Sequence, residues 1–268
     1  MPWDRHRPRS APAAGSAGDP AAAFADLYDG WYRSHRDDLA FYRGICRRRP
    51  GPVVELGAGT GRVTVPLLQD GREVIAVDRS PAMLERLEAA ARAAHAAGRL
   101  TTVLSDLRAV TPPRTATVIA PFTVLMELTP RSRAGLFARL AGALAPGAVL
   151  AFDVWHCPPP YIDATDGRWL PSGPDTEARL TWDRPASAVA MEVRCAQREF
   201  ALQFWFGTPE EWRRELEAAG FGVAVSGGFG GGPVSPRCRQ LAIVARVPAD
   251  GPGRSRVAGA SRPRERGP

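Results

Sequence analysis

Residues 53–78 constrain this chain more than any other stretch, reading V-V-E-L-G-A-G-T-G-R-V-T-V-P-L-L-Q-D-G-R-E-V-I-A-V-D. Val53, Val54 and Leu56 form a short apolar run of buried-strand type. Gly57, Gly59 and Gly61 follow at every second position, where the lack of a Cβ lets a backbone turn tightly and approach a ligand. Val63, Leu67 and Leu68 repeat at helical spacing, and Pro66 falls early, where a missing N–H is best tolerated. Val74, Ile75, Ala76 and Val77 make a second apolar run, which Asp78 ends. A strand, a glycine turn, a helix and a strand closed by an acid form one unit of an open α/β sheet. In such sheets a ligand lies across the strand ends, where strand order reverses. The stretch reads as a nucleoside-binding half-domain.

The dinucleotide fingerprint G-x-G-x-x-G would require glycine at position 62, which is Arg62. The pattern present is E-x-G-x-G-x-G, from Glu55 to Gly61. It resembles motif I of the class I S-adenosylmethionine (SAM)-dependent methyltransferases, in their small-molecule, domain-25-like branch. Asp78 matches that family's ribose-binding acid. The resemblance implies a doubly wound, mostly parallel seven-stranded α/β sheet of Rossmann-like form, with SAM as cofactor and S-adenosylhomocysteine as product. Charge favours the same ligand. A pyrophosphate prefers exposed helix N–H groups, whereas SAM carries a sulfonium cation, which a carboxylate at Glu55 suits better.

The net charge of +7 invites a nucleic-acid reading, but all 35 basic residues are arginine, with no lysine or asparagine anywhere. That bias points to a GC-rich genome rather than to selected phosphate contacts. Five of the arginines fall in the last twenty residues, against two acids. A basic stripe interleaved with aromatics on the folded domain, which a nucleic-acid site requires, is not evident. No apolar run approaches the length of a membrane span, and the N-terminus lacks the apolar core of a secretory signal. Cys46, Cys157, Cys195 and Cys238 lie far apart without a C-x-x-C pair, and the four histidines show no metal-ligand spacing. The expectation is a cytoplasmic protein with free thiols and no metal, whose partner is a small molecule rather than nucleic acid or membrane.

Along the rest of the chain, residues 1–22 and 249–268 read as disordered tails around one domain at 23–248. The segment from Phe24 is dense in aromatic rings and leads into a helix expected over residues 38–48. Ser80 and Pro81 cap a helix running to about Ala97 and ending at Gly98. Strands are expected at 101–104, 117–121 and 148–154, with a helix at 131–144. Residues 163–175 read as loop. Residues 177–182, 188–196 and 198–206 alternate apolar and polar side chains as antiparallel strands do, giving a small β insertion (about 156–206) before the last helix. Such an insertion would form a cap over the substrate or a flap that permits a homodimer. Thr208, Pro209 and Glu211 make a capping box, and residues 221–225 and 240–247 are the last two strands.

The resemblance, spanning roughly Phe24 to Pro248, also implies site residues. SAM would contact Tyr28, on a segment that closes as a lid, together with Glu55, Gly57, Ala58, Gly59, Gly61, Asp78, Arg79 and Met83. It would also contact Ser105, Asp106 and Leu107 near the adenine, and Pro121 and Phe122 near the methyl group. Tyr32, His35 and Trp155 would face the acceptor. P-F-T-V-L-M-E-L lacks the N-P-P-Y or D-P-P-Y of DNA amino-methylating enzymes, and places Glu127 where many relatives carry histidine. Glu127 and His156 are the candidate general bases. The implied reaction moves a methyl group from SAM to an O or N atom of a small molecule, a natural-product intermediate by association. The alternatives are a SAM-binding relative that performs a cyclisation or rearrangement, and, less in keeping with Arg62, a nicotinamide-dependent oxidoreductase.

Overall fold

A computed structural model describes residues 35–249, apart from 48, 174, 196, 197 and the side chain at 198. The N-terminal tail, the C-terminal tail beyond 249, Tyr28 and Tyr32 lie outside the described residues. In chain order the first elements are α1 (Leu39–Arg47), β1 (Val53–Leu56), α2 (Thr64–Gln69), β2 (Val74–Asp78), α3 (Pro81–Ala93) and β3 (Leu100–Leu104). Then come β4 (Thr117–Ala120), α4 (Pro130–Ala143), β5 (Val149–Trp155), α5 (Pro159–Thr165) and β6 (Trp169–Gly173). The chain closes with β7 (Thr176–Asp183), β8 (Ala188–Cys195), β9 (Arg198–Trp205), α6 (Pro209–Ala218), β10 (Gly222–Gly227) and β11 (Gln240–Arg246).

Seven strands form one sheet in the order β10-β11-β5-β4-β1-β2-β3, all pairs parallel except those of β11. β1 and β4 are buried on both faces, as central parallel strands must be when helices cover each side. Alternation divides their side chains between two layers. Val53 joins Leu39, Tyr42 and Cys46 of α1 and Leu67 and Leu68 of α2. Val54 packs with Leu136, Phe137 and Leu140 of α4. Each large apolar side chain so buried contributes about 1.5–3 kcal/mol. Strand order reverses between β1 and β4, so the crevice expected for a ligand opens at their C-terminal ends.

A second, antiparallel sheet of four strands, β6-β7-β8-β9, is inserted between β5 and α6. Its inner face (Leu180, Trp182, Val189, Met191, Val193, Phe204) belongs to the same core as β5. Arg133 of α4 ties the two sheets together. Its buried guanidinium pairs with Glu215 at 2.9 and 2.7 Å and lies 4.0 Å from the Trp212 ring. It also donates to the carbonyls of Leu128 and of Trp205, at the end of β9.

Residues 163–175, expected as loop, instead hold the end of α5 and all of β6. Three consecutive prolines hid the helix, yet Pro159 and Pro160 occupy its first positions, where the missing N–H groups would have no partner. Pro171 is tolerated because β6 is an edge strand. The helix expected to reach Ala97 ends at Ala93. His95 adopts φ 53° and the Ala96 N–H bonds back to the Ala91 carbonyl, a Schellman stop without its usual glycine. A run of alanines carries no stop signal, so the sequence overshot. Thr208 and Glu211 form the expected capping box. Replacing exposed His95 by glycine should relieve the left-handed strain and raise stability by about 1 kcal/mol. Urea denaturation should show a higher midpoint at unchanged slope.

Candidate active site

The turn after β1 is built from left-handed glycines. Gly57, Gly59 and Gly61 have φ of 70°, 54° and 94°. The N–H groups of Gly57 and Ala58 both donate to the Val77 carbonyl, at 2.8 and 3.0 Å, pressing the turn against the end of β2. A Cβ on Gly57 would lie 2.4 Å from Cγ2 of Val124, in the turn after β4, and one on Gly61 would lie 2.3 Å from Cδ1 of Leu87 in α3. The first and third glycines therefore allow two neighbouring elements to close on the turn. Asp78 completes it. One carboxylate oxygen accepts the Gly59 N–H and the other the Ser80 N–H, both at 2.9 Å. Each oxygen keeps a further lone pair for a hydroxyl donor.

Glu55 is 2% exposed and accepts a 2.5 Å hydrogen bond from the Thr64 hydroxyl, which ties the end of β1 to the first residue of α2. Burial pushes its pKa up to about 8, against the pull of Thr64 and Arg62.

Above the turn lies an ion pair that pattern reading missed. Arg62 grips the buried Asp38 with two hydrogen bonds of 2.6 Å and donates to the His35 carbonyl at 3.1 Å. Its guanidinium lies 5.1 Å from the centre of the Phe122 ring, and the His35 ring meets the same ring edge-on at 5.2 Å. The residue that spoils the dinucleotide fingerprint is thus the anchor for the segment leading into α1.

The turn after β4 is strained. Phe122 and Thr123 have φ of 63° and 61°, each costing about 1–2 kcal/mol for a non-glycine residue. Asp153, 1% exposed on β5, holds it by accepting the Phe122 N–H at 2.7 Å. The same carboxylate accepts from the Tyr42 hydroxyl and the Gln240 side chain. Burial pushes the Asp153 pKa up while these donors pull it down. A lone acid inside the apolar run A-F-D-V-W was the available signal for this residue.

At the outer end of the crevice the Ser105 N–H donates to the Asp78 carbonyl at 2.9 Å. Asp106 caps a short 3-10 turn and takes the Arg108 guanidinium in two hydrogen bonds, which lowers its pKa to about 2. Leu107 packs on the core, and Met83 is buried on α3. Arg79 reaches Glu127 at 3.4 Å, so this pair joins the ends of β2 and β4 across the crevice. The Glu127 side chain retains 39% of its accessible surface, yet the surrounding walls still desolvate it enough to raise its pKa, with Arg79 opposing.

Trp155 and His156 stand at the end of β5. The Trp155 ring packs on Phe204 of the second sheet at 5.0 Å. His156 is buried; its main-chain N–H donates to the Arg239 carbonyl at 2.9 Å, and Nδ1 lies 3.1 Å from the Cys238 carbonyl and 3.2 Å from the Cys238 sulfur. The carbonyl can only accept, which assigns the proton to Nδ1 and leaves Nε2 as the basic nitrogen. Among the described residues no cluster of three or more His, Cys, Asp or Glu suits a metal ion, and no helix is long and apolar enough to cross a membrane.

The crevice so built suits a cationic nucleoside. Asp78 and Glu127 line it, while the guanidinium of Arg62 is committed to Asp38, which leaves it poorly placed for a pyrophosphate. Stability should track the Glu55 proton. With its folded pKa raised from about 4.5 to about 8, its contribution is full below the lower value and is lost as pH rises through the upper. Melting temperature should fall between those limits, and Glu55→Gln should flatten the profile.

Comparison with known proteins bears on this arrangement. Residues 53–147 match the family described as "Methyltransferase domain". A carboxy-S-adenosyl-L-methionine synthase from Vibrio parahaemolyticus is 35% identical over 102 residues, covering 37% of this chain and 41% of that protein. The chain thus matches about two fifths of that relative's length. Among solved structures, the CcbJ methyltransferase from Streptomyces caelestis superposes with a TM-score of 0.72 at 22% identity, over 84% of this chain and 96% of that one. SAM-bound CalS10, an amino pentose methyltransferase from Micromonospora echinaspora, gives 0.57 at 22%, over 84% and 97%. At these identities the structures establish the fold, which is that of the class I methyltransferases.

Proposed function

We propose, from the match of residues 53–147 to the methyltransferase-domain family, that the chain is a SAM-dependent methyltransferase acting on an O or N atom of a small molecule, a natural-product intermediate. The observation that carries this reading is the left-handed glycine turn joined through its Gly59 N–H to Asp78, at the point where strand order reverses. When bound, SAM supplies an intrinsically activated methyl group on a sulfonium. What remains for the protein is alignment, exclusion of water and, for a hydroxyl acceptor, removal of a proton. Asp78 offers its free lone pairs to the ribose hydroxyls. Asp38 and Arg62 hold the segment entering α1 against the turn, and Asp153 holds Phe122. His156, with Nδ1 held by the Cys238 carbonyl, takes the acceptor's proton on Nε2; Glu127 is the alternative base.

The same reading makes residues 23–248 the catalytic unit, with residues 156–206 capping the acceptor, and places the protein in the cytoplasm with a small-molecule partner. A second reading, in which SAM is bound but no acceptor is methylated, draws on the likeness to a protein named as a carboxy-S-adenosyl-L-methionine synthase. Product mass separates the two: a gain of one methyl group on an acceptor supports the first, and an acceptor rearranged at unchanged mass, or an altered SAM, supports the second.

Calorimetric titration with S-adenosylhomocysteine, with NAD in parallel, tests the cofactor. Binding of the first alone is expected, and binding of neither would remove the enzyme reading. Asp78→Ala should weaken S-adenosylhomocysteine binding by about 10- to 100-fold, since hydrogen bonds to a charged group are worth about 1.5–3 kcal/mol each. Asp78→Asn, which keeps one acceptor oxygen, should fall between that variant and the wild type.

A further inference from the structure

Asp153 joins three elements around the proposed site. Its carboxylate uses each oxygen. Oδ1 accepts the Phe122 N–H at 2.7 Å and the Tyr42 hydroxyl, and Oδ2 accepts the Gln240 side-chain amide. The three donors come from three elements: the strained turn after β4, α1, and the first residue of β11. An acceptor-only group satisfies all three, whereas an apolar residue of similar size would remove the acceptor that the part-buried Phe122 N–H uses.

The Gln240 contact extends this role to the histidine. Gln240 lies opposite Trp155 in the β5–β11 ladder, and the two residues before it are Cys238 and Arg239. Those two carbonyls hold His156, one at Nδ1 and one at its main-chain N–H. Fixing Gln240 therefore fixes the main chain that orients the imidazole. We infer that Asp153 is a positioning residue that sets the Phe122 turn on the donor side and, through Gln240, the orientation and tautomer of His156 on the acceptor side. This rests on the proposed role of His156 as base. It assigns Asp153 no proton transfer of its own, because its oxygens are already occupied by donors and it is buried beneath the site.

The test is the tautomer of His156, read by two-bond ¹H–¹⁵N correlation on the full chain, with His156→Ala to assign its signals. In the wild type the ring should show the Nδ1–H form with Nε2 at the shift of an unprotonated nitrogen. Gln240→Met severs the link to Asp153 without touching Phe122 or the histidine. It should shift the His156 ring nitrogens toward the averaged values of a tautomeric mixture. Asp153→Asn, which loses one acceptor, should do the same. Should Asp153→Asn fail to fold, Gln240→Met alone decides. A wild-type His156 spectrum in folded Gln240→Met overturns the inference, as does a wild type in which Nδ1 carries no proton. S-adenosylhomocysteine titration of the wild type is read separately. Its failure would refute the cofactor reading without altering the spectra that judge Asp153.

Discussion

Carboxylates withdrawn from water must be met by donors, and around the ends of the central strands that requirement draws separate parts of the chain together. Asp78 takes N–H groups from Gly59 and Ser80, Asp38 takes the Arg62 guanidinium, Glu55 takes the Thr64 hydroxyl, and Asp153 takes three donors at once. Apart from the Asp78–Ser80 and Glu55–Thr64 bonds, these contacts join residues 19 or more apart in sequence. The first adds to the two bonds that the Gly57 and Ala58 N–H groups make to the Val77 carbonyl at the end of β2. Without the last, two left-handed residues at Phe122 and Thr123 would have no reason to persist.

Electrostatics and backbone strain act on the same few residues here. The Arg62–Asp38 pair lies above the glycine turn, and burial raises the pKa values of two further acids, Glu55 and Asp153. The cost of burying those acids is offset by hydrogen bonds rather than by more arginines, and burial favours their protonated form.

Much of the frame was legible in the sequence, because strand and helix periods, capping residues and the glycine spacing are local signals. The strand–glycine–strand–acid order located β1, β2 and Asp78, and the Thr208 capping box located α6. What the sequence left unread around the turns has one physical origin. Pattern reading sees a residue's type but not the partner that folding brings to it. Glu55 has Thr64 as a donor that no pattern announced, and Arg62, read as the absence of a third glycine, is Asp38's partner. Asp153 drew no notice, since its three donors are distant in sequence from it. The α5–β6 segment was lost for the opposite reason: prolines read as breakers are harmless at a helix start and on a sheet edge.

The second sheet leaves the core after β5 and returns at α6, so its four strands form one excursion between two fixed points. Arg133 clasps the end of that excursion at the Trp205 carbonyl, while its other bonds run to Glu215 and Leu128 outside it. Because the bond to the insertion is to main chain, the side chains of β6–β9 are free to vary without loosening the clasp. A fold arranged this way can vary by drift in a single exchangeable module, while the inheritance of its mostly parallel sheet stays undisturbed.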